Sequence, residues 1–240
     1  MENTNANKDL DLIVVKDSKS IMSERYRALR TNIQFYSIDK DIKSILITSS
    51  IPGEGKSTIA SNLAVVLSQM NKKVMIIDCD QRRPNIHKIF KLSNLNGLSN
   101  YLVDNVDIAS VIQNTCIENL DAITSGITSS NPADILSSYK MKNTINKLEM
   151  IYDYIIIDAP PVGLVIDAQI IAKYVGGTLF VVESNKEDVH SVAKSKKLLD
   201  KVGANIIGVV LNKTESKKCI NYYDSKVNII NKKNSSKVMI

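Results

Sequence analysis

The residues of this 240-residue chain best suited to chemistry form a glycine-containing run that includes Gly-Lys-Ser-Thr at its end. The run covers residues 48–58, follows an apolar stretch and precedes a helical pattern. In such a loop, backbone N–H groups surround a phosphate, glycines allow close approach, and the next helix directs its positive end at the anion. We therefore predict a P-loop for a nucleoside triphosphate, formed by Ser50, Pro52, Gly53, Glu54, Gly55, Lys56, Ser57 and Thr58.

Two side chains at the end of this loop have specific expected roles. Lys56 would reach the β- and γ-phosphates, and the Ser57 hydroxyl would bind Mg²⁺. The loop departs from the general pattern G-x-x-x-x-G-K-[ST] at Ser50, where the first glycine is expected. A plain Gly/Ser-rich turn before a helix is the alternative. The position of Gly-x-Gly-Lys-Ser between a strand-like and a helix-like segment favours the nucleotide site.

Aspartates follow two of the predicted buried strands. Residues 74–77 are apolar and lead to Asp78 and Asp80, and residues 154–157 are apolar and lead to Asp158. Because ligands bind at the carboxyl edge of a parallel sheet, we expect these three carboxylates to converge near the P-loop. Mg²⁺ and phosphoryl transfer need such oxygen ligands and a base. Each aspartate alone could also be a turn or capping residue.

The pattern of apolar segments predicts one α/β domain. Strands are predicted at residues 43–48, 73–78, 120–124, 154–158, 177–183 and 206–212, and helices at 20–35, 57–70, 107–113, 131–148, 167–174 and 188–202. Strands that alternate with helices indicate right-handed crossovers and a mostly parallel sheet with helices on both faces. A hydrophobic fraction of 44% is sufficient for its core.

Charge divides the chain into three parts: a polar N-terminal arm at residues 1–19, the domain at 20–212, and a basic tail at 213–240. The tail contains seven lysines against Glu215 and Asp224, whereas the whole chain has a net charge of +6, so the body is nearly neutral. A tail rich in Asn and Ser is expected to be mobile. Its charge suits an anionic surface such as a membrane, a polyanion or a triphosphate-loaded site.

Composition also argues against several classes of protein. No stretch approaches the roughly 18 consecutive apolar residues of a membrane span, and the polar start is not a signal peptide, so we expect a cytoplasmic protein. The three cysteines lack metal or redox spacing. The two histidines are too few for a His-based metal site.

Together these motifs resemble those of the bacterial tyrosine kinases (BY-kinases) of the capsular and exopolysaccharide type, and the similarity covers nearly the whole chain. Residues 50–57 look like the Walker A motif of that family, in which the leading glycine is often not kept. Residues 74–82 match its second acidic motif, apolar residues followed by D-x-D-x-R, and residues 155–160 match its Walker B motif, apolar residues followed by D-x-x-P.

The resemblance implies transfer of the ATP γ-phosphoryl group to tyrosines in the tail of a neighbouring subunit, with ATP and Mg²⁺ as cofactors. The implied catalytic residues are Lys56, Asp78, Asp80 and Arg82, and the implied metal ligands are Ser57, Asp78, Asp80 and Asp158. Either Asp78 or Asp80 would deprotonate the phenol, whose ordinary pKa near 10 makes a base necessary. Arg82 would hold the phosphates or the acidic cluster. Asn212 resembles a position that recognises adenine in related P-loop ATPases.

A second resemblance concerns assembly. Glu24, Arg27 and Arg30 form E-x-x-R-x-x-R on the predicted helix at 20–35, which is similar to the motif that packs family subunits into a ring. Read without the family, they would form an i, i+3 ion pair on a solvated face. The resemblance implies a cyclic homo-oligomer and a membrane adaptor that places the kinase at the inner face of the cell membrane. It implies protein tyrosine substrates and no nucleic-acid partner.

The tail differs from the family pattern, because only Tyr222 and Tyr223 lie beyond the last predicted strand, where the family usually has several tyrosines. They are expected phosphate acceptors, or else they pack the tail on the domain. Two other functions remain open. A spatial-organising ATPase of the ParA/MinD type would carry an extra lysine early in the P-loop, at the position of Ile51. A nucleotide-gated scaffold for polysaccharide export would have little kinase activity.

Overall fold

Seven strands form one sheet in the computed structural model, which describes residues 10–38, 40–104, 106–127, 131–184 and 189–214. The strands are β1 (Ser44–Ser49), β2 (Val74–Asp78), β3 (Ile112–Asn114), β4 (Leu120–Ile123), β5 (Tyr154–Asp158), β6 (Gly177–Glu183) and β7 (Ile206–Asn212). Their order is β3-β4-β2-β5-β1-β6-β7, and neighbours are parallel except for the antiparallel pair β3 and β4. The prediction of a mostly parallel sheet is confirmed.

The helices of the described ranges are mostly short. They are α1 (Ile13–Lys16), α2 (Ile21–Ser37), α3 (Lys56–Ser68), α4 (Ile86–Phe90), α5 (Leu98–Val103), α6 (Pro132–Leu136), α7 (Tyr139–Leu148), α8 (Asp167–Ala172) and α9 (Val189–Lys201). In these ranges, none combines the length and the apolarity that crossing a bilayer requires.

Each face of the sheet has its own hydrophobic core, because successive strand residues point to opposite faces. On β1, Ile45 and Ile47 belong to the core that includes α1, α2 and α3, whereas Leu46 belongs to the core that includes α6, α7, α8 and α9. Both faces are therefore covered by helices, as predicted. Burial on both faces explains why the central strands are nearly continuous apolar runs.

Three adjacent strands bring the predicted site together. β5 lies between β1 and β2, and Asp78 at the end of β2 is in register with Asp158 at the end of β5. The P-loop follows β1 at the same edge of the sheet. The parallel register thus places the three sequence motifs side by side.

The predicted helix at residues 107–113 is wrong. Asp107 accepts a hydrogen bond from the Ala109 N–H and caps a single 3-10 turn, Ile108–Ser110. The following residues form β3, which pairs antiparallel with β4 at the edge of the sheet. The apolar residues whose spacing predicted a helix lie in this turn and in the edge strand instead.

The predicted helix at 131–148 is two helices, α6 and α7. The Ser138 side chain accepts from the Met141 N–H and starts α7, so the chain changes direction after α6. The stretch after Asp80, for which no element was predicted, contains α4 and α5.

The described part of the polar N-terminal arm predicted at residues 1–19 contains buried apolar side chains. Leu10, Leu12 and Val14 are each 1% exposed and join the core beside α2 and α3. The Val14 N–H donates to Asn62 Oδ1 of α3 over 3.3 Å. Ser20 then caps α2 by accepting from the Ser23 N–H. The tail from residue 215 lies outside the described residues.

Candidate active site

The P-loop connects the end of β1 to the start of α3, and its two glycines have positive φ angles. Gly53 has φ 86° and Gly55 has φ 90°, a region that glycine adopts without the strain other residues incur. A Cβ atom on Gly55 would lie 2.2 Å from Asn212 Nδ2. Gly55 is thus required both by its backbone conformation and by the close approach of β7.

Glu54 lies between the two glycines, and its buried side chain accepts hydrogen bonds from the start of the loop. Its Oε2 accepts from Ser50 N over 2.8 Å and from Ile51 N over 2.9 Å, and its Oε1 accepts from Glu183 N over 3.1 Å. The Ser50 hydroxyl also donates to this carboxylate, over 2.9 Å to Oε2. Ser50, where a glycine was expected, therefore supplies a donor that glycine lacks.

Glu54 was predicted to bind nucleotide as a residue of the P-loop, and in the structure its side chain has a separate role within that loop. Its carboxylate faces Ser50 and the end of β6, and a carboxylate directed at phosphates would repel them. Glu54 instead holds the loop in shape. The position of Glu54 in the sequence motif does not distinguish this structural role of the side chain from contact with phosphate.

The end of β7 holds the loop through side chains. Asn212 Nδ2 donates to Glu54 O over 2.8 Å, and Lys213 Nζ donates to Gly53 O over 2.8 Å. Lys213 also pairs with Glu183 at 3.0 Å. Asn212 thus contacts the P-loop, while its expected role in adenine recognition stays a prediction, and Lys213 had been assigned only to the basic tail.

Asp158 is fully buried, and neither of its carboxylate oxygens makes a hydrogen bond of normal geometry with the described residues, although the Ser57 hydroxyl lies close enough to affect it. Burial raises the pKa of Asp158 to about 7, against the opposing effects of Lys56 and the Ser57 hydroxyl and with a further rise from Asp80. A buried carboxylate without partners is costly unless a cation compensates it. Asp158 and Ser57 therefore fit a divalent cation site.

Asp78 has different surroundings, although it is also fully buried. Its Oδ2 accepts from Asn85 N over 2.9 Å and from Ile86 N over 3.0 Å, and its Oδ1 accepts from Asp80 N over 3.1 Å. Burial, with the nearby charge of Asp158, raises its pKa well above the ordinary range. Three backbone donors occupy this carboxylate, which holds the segment between β2 and α4.

Asp80 faces the open part of the site. Its Oδ2 lies 4.0 Å from Lys56 Nζ, and its Oδ1 accepts from Arg83 N over 3.0 Å. Burial raises the pKa of Asp80 above its usual value, which favours its capacity to take up a proton. Between the two aspartates, Cys79 is fully buried.

Arg82 has a partner that the sequence did not identify. Its Nε and Nη2 donate to the two carboxylate oxygens of Asp167 over 3.1 and 3.2 Å. Asp167 is fully buried and is the first residue of α8. The acidic partner of Arg82 is thus Asp167, and not the three-aspartate cluster that was one of its two expected partners.

A cavity of about 790 Å³ opens beside Lys56, Ser57 and Asp80. The remaining lining includes residues 82–85, 87 and 88 after β2 and the apolar residues Pro160, Pro161, Leu164 and Val165 after β5. Asp78 and Asp158 lie beneath this lining. The cavity can therefore admit a side chain from outside to the carboxylate of Asp80.

A second cavity of about 500 Å³ lies between α2, the start of α3 and the end of β7. Its lining includes Met22, Tyr26, Ile59 and Asn212. Since Lys56 and Ser57 line the larger cavity, the P-loop and the first turn of α3 separate the two.

The predicted oligomerisation residues make contacts within the chain. Glu24 and Arg27 form an ion pair one turn apart on α2. Arg30 Nη1 donates to the Val66 carbonyl near the end of α3, over 3.1 Å. The described chain thus shows the i, i+3 pair. The predicted acceptors Tyr222 and Tyr223 lie outside the described residues.

Comparison with known proteins identifies a matching family model and several named relatives. Residues 42–183 match the family model described as an AAA domain. The chain is 40% identical to the tyrosine-protein kinase YwqD of Bacillus subtilis over 92% of this chain and 94% of the relative. The crystal structure of the chimerical protein CapA2B2 has a TM-score of 0.81 and 43% identity, covering 85% of this chain and 89% of that one.

The kinase domain of the Escherichia coli tyrosine kinase ETK has a TM-score of 0.82 and 33% identity, covering 85% of this chain and 80% of that one. The septum site-determining protein MinD of Pyrococcus horikoshii, solved with Mg-ADP, scores 0.62 at 26% identity over 72% of each chain. Both comparisons show a P-loop nucleotide-binding fold, and the similarity to kinases is the greater. Because the relatives above are named tyrosine kinases, the chain belongs to the bacterial tyrosine kinase family.

Proposed function

We propose that this kinase transfers the γ-phosphoryl group of ATP to Tyr222 and Tyr223 of a neighbouring copy. The observation that carries the proposal is the place of Asp80, which lies 4.0 Å from the P-loop lysine and lines a cavity of about 790 Å³. A base beside the phosphate-binding lysine and open to an incoming side chain is what tyrosine phosphorylation requires.

The positions of the two cavities indicate how ATP is oriented in the site. The triphosphate lies along the P-loop N–H groups and the N-terminus of α3, with Lys56 at the β- and γ-phosphates. Thr58 is on the first turn of α3 and precedes Ile59, which lines the smaller cavity. The adenosine occupies this cavity, where Met22, Tyr26 and Ile59 provide apolar surface and Asn212 provides an amide. The phosphates lie at the P-loop side of the larger cavity, and the rest of this cavity is left for the acceptor tyrosine.

Ser57 and Asp158 are the residues that would hold Mg²⁺. In the described residues, no group of three or more His, Cys, Asp and Glu side chains could bind a metal by itself. Mg²⁺ in kinases is commonly held by one or two protein oxygens together with phosphate oxygens, which agrees with this pair. When bound, the ion supplies positive charge that neutralises the phosphates.

Asp80 is the general base in this proposal. The phenol oxygen bonds to the γ-phosphorus, the bond from that phosphorus to the β–γ bridging oxygen breaks, and the phenol proton passes to Asp80. Lys56 and the loop amides stabilise the charge on the phosphates and on the departing ADP. Asp78 positions the segment that carries Asp80, since its own carboxylate is occupied by three N–H groups. Arg82, held by Asp167, adds positive charge at the cavity.

The acceptors belong to a neighbouring copy in a closed ring in which α2 contributes the contact. Glu24 on this helix is largely solvent-accessible, and the apolar side chains of Ile21, Met22 and Phe35 are 59%, 43% and 67% exposed. Exposed apolar surface next to charged residues is typical of protein interfaces. A membrane adaptor would hold the ring at the inner membrane face, where phosphorylation regulates capsular or exopolysaccharide synthesis.

A mixing experiment tests this proposal. Lys56→Met inactivates one copy but leaves its tail intact, and Tyr222→Phe/Tyr223→Phe removes the acceptors from a second copy with an intact site. Incubated together with ATP and Mg²⁺, the pair should produce phosphotyrosine on the Lys56→Met copy, located by mass spectrometry. ATP binding without phosphotyrosine in the pair and in the unmodified chain would support the scaffold function instead.

A further inference from the structure

We propose that the active site selects acceptor tyrosines with an acidic residue on their C-terminal side, and that Arg83 and Lys88 make this selection. Within the chain, the occupant is the segment around Tyr223 and Asp224 of a second copy. This inference rests on the proposed kinase function and adds a substrate class to it.

The larger cavity, which P-loop residues also line, has a basic part formed by side chains that follow β2. Arg83 and Lys88 are exposed and line this cavity, and neither has an ion-pair partner among the described residues. Arg82 is different, because Asp167 already neutralises its charge. Lys56 is different as well, because it points to Asp80 and the phosphate site. Two positive charges are therefore left at the mouth of the acceptor cavity.

The segment that carries these charges is held in place by the acidic motif. Asp78 accepts from the backbone of Asn85 and Ile86, and Asp80 accepts from the backbone of Arg83. These bonds fix the chain on both sides of Pro84 and at the start of α4, which carries Lys88. The basic part of the cavity is consequently preorganised relative to the carboxylate of Asp80.

Another part of the lining suits an aromatic ring. Pro161, Leu164 and Val165 present apolar surface to the same cavity, and Leu164 is 62% exposed. A tyrosyl ring can pack on this surface with its hydroxyl directed at Asp80. A carboxylate next to that tyrosine then reaches the basic part, where it pairs with Arg83 or Lys88.

The tail sequence has one acidic residue where this arrangement needs it. Asp224 follows Tyr223 directly, and it is the only acidic residue among residues 216–240, which contain six lysines. A tail of that charge is otherwise repelled by a basic cavity mouth. Asp224 thus provides the local attraction that brings Tyr223, rather than a lysine-rich segment, to the site.

The test uses full-length copies in the mixing assay. The acceptor is the Lys56→Met chain with Asp224 unchanged, Asp224→Asn or Asp224→Lys, and the enzyme is the Tyr222→Phe/Tyr223→Phe chain. We expect the initial rate at Tyr223 to fall roughly two- to fivefold with Asn and further with Lys, the range for one solvent-exposed ion pair. Arg83→Ala/Lys88→Ala in the enzyme should bring the Asp and Asn rates together.

Charge reversal and a matched control complete the design. Arg83→Glu/Lys88→Glu in the enzyme should reverse the order, so that the Asp224→Lys acceptor becomes the better one. Lys147→Ala/Lys173→Ala removes the same charge from exposed positions outside the cavity and should keep the original preference.

Equal rates for all three acceptors, or a preference that survives in the Arg83→Ala/Lys88→Ala enzyme, would overturn this inference while leaving the kinase function in place. Phosphorylation of no acceptor, together with none in the unmodified chain, would overturn the proposed function and this inference with it.

Discussion

At the scale of single residues, two neighbouring buried aspartates differ in what surrounds them. Asp78 accepts three backbone hydrogen bonds, whereas Asp158 makes no hydrogen bond of normal geometry in the described part of the chain. A buried carboxylate whose oxygens accept hydrogen bonds stabilises the backbone that donates them. A buried carboxylate without such bonds is stabilised by a bound cation. The sequence placed both at strand ends but could not separate these roles, because the difference depends on the path of residues 80–86.

The unpaired carboxylate predicts a pH dependence of stability. Because the folded pKa of Asp158, about 7, lies above its ordinary value, the folded protein binds more protons than the unfolded chain at mildly acidic pH. The free energy of unfolding of the nucleotide-free protein should therefore fall as pH rises from 5 to 8. Asp158→Asn should flatten this dependence, measured by urea unfolding at several pH values. An unchanged slope in the variant would show that Asp158 is not the group responsible.

Asp80 is predicted to act in the chemical step. Asp80→Asn keeps an oxygen for the Arg83 N–H, so the fold should be retained, but it removes the base. We expect kcat to fall by about 10²- to 10⁴-fold, the usual contribution of general-base catalysis, with ATP affinity within a few-fold of the unmodified protein. Rapid-quench measurement of phosphotyrosine and ATP titration would check both. A kcat within tenfold of the unmodified value would reject Asp80 as the base.

At the scale of elements, the P-loop is held by its own Glu54 side chain and by contacts with the ends of β6 and β7. Glu54 joins Ser50 after β1 to Glu183 at the end of β6, and Asn212 and Lys213 join β7 to the loop carbonyls. The loop is therefore shaped before a nucleotide arrives. Preorganised backbone donors stabilise phosphate charge without a reorganisation cost.

Removing the Glu54 carboxylate should loosen this loop. Glu54→Ala leaves the N–H groups of Ser50, Ile51 and Glu183 without their acceptor, and a buried unpaired donor costs about 1–3 kcal/mol. We expect a lower free energy of unfolding and at least tenfold weaker ATP binding, measured by chemical unfolding and calorimetry. Glu54→Gln, which keeps an oxygen acceptor, is the control and should lose less. Equal ATP affinity in both variants and the unmodified chain would contradict the proposed role.

The sequence predicted the elements that carry strong, continuous patterns and missed those set by tertiary contacts. β5, β6 and β7 have the predicted bounds, because each is a largely apolar run; β5 and β6 are mostly buried, whereas β7 is partly exposed. The residues 107–113 became a turn and an edge strand, since pairing with β4 decided their structure. In the site, the motif residues were found, but Asp167 and Lys213 were not, because each matters only through a partner distant in sequence.

At the scale of the whole molecule, α2 packs on α3 and also presents an exposed surface. Arg30 binds the Val66 carbonyl of its own chain, whereas Glu24 and Arg27 lie at the more accessible part of the helix. The three residues of one motif are therefore divided between internal packing and the proposed ring contact. In the proposed ring, α2 would therefore connect α3 to a neighbouring subunit.

This division predicts separable effects of substitution. Glu24→Ala/Arg27→Ala should convert the ring to monomers with little change in the free energy of unfolding, because an exposed ion pair contributes less than about 1 kcal/mol. Arg30→Ala should lower that free energy, since it removes the hydrogen bond to Val66. Light scattering and urea unfolding would measure mass and stability. A monomeric mass for the unmodified protein at all concentrations would contradict the proposed ring.

The most direct test of the central claim is the location of phosphate after incubation with ATP and Mg²⁺. Peptide mass spectrometry of the unmodified chain should find phosphotyrosine at Tyr222 and Tyr223, and none in Lys56→Met or Asp80→Asn chains that retain the unmodified melting temperature. Phosphotyrosine at the same level in these folded variants, or its absence from a chain shown to bind ATP, would contradict this account of the site.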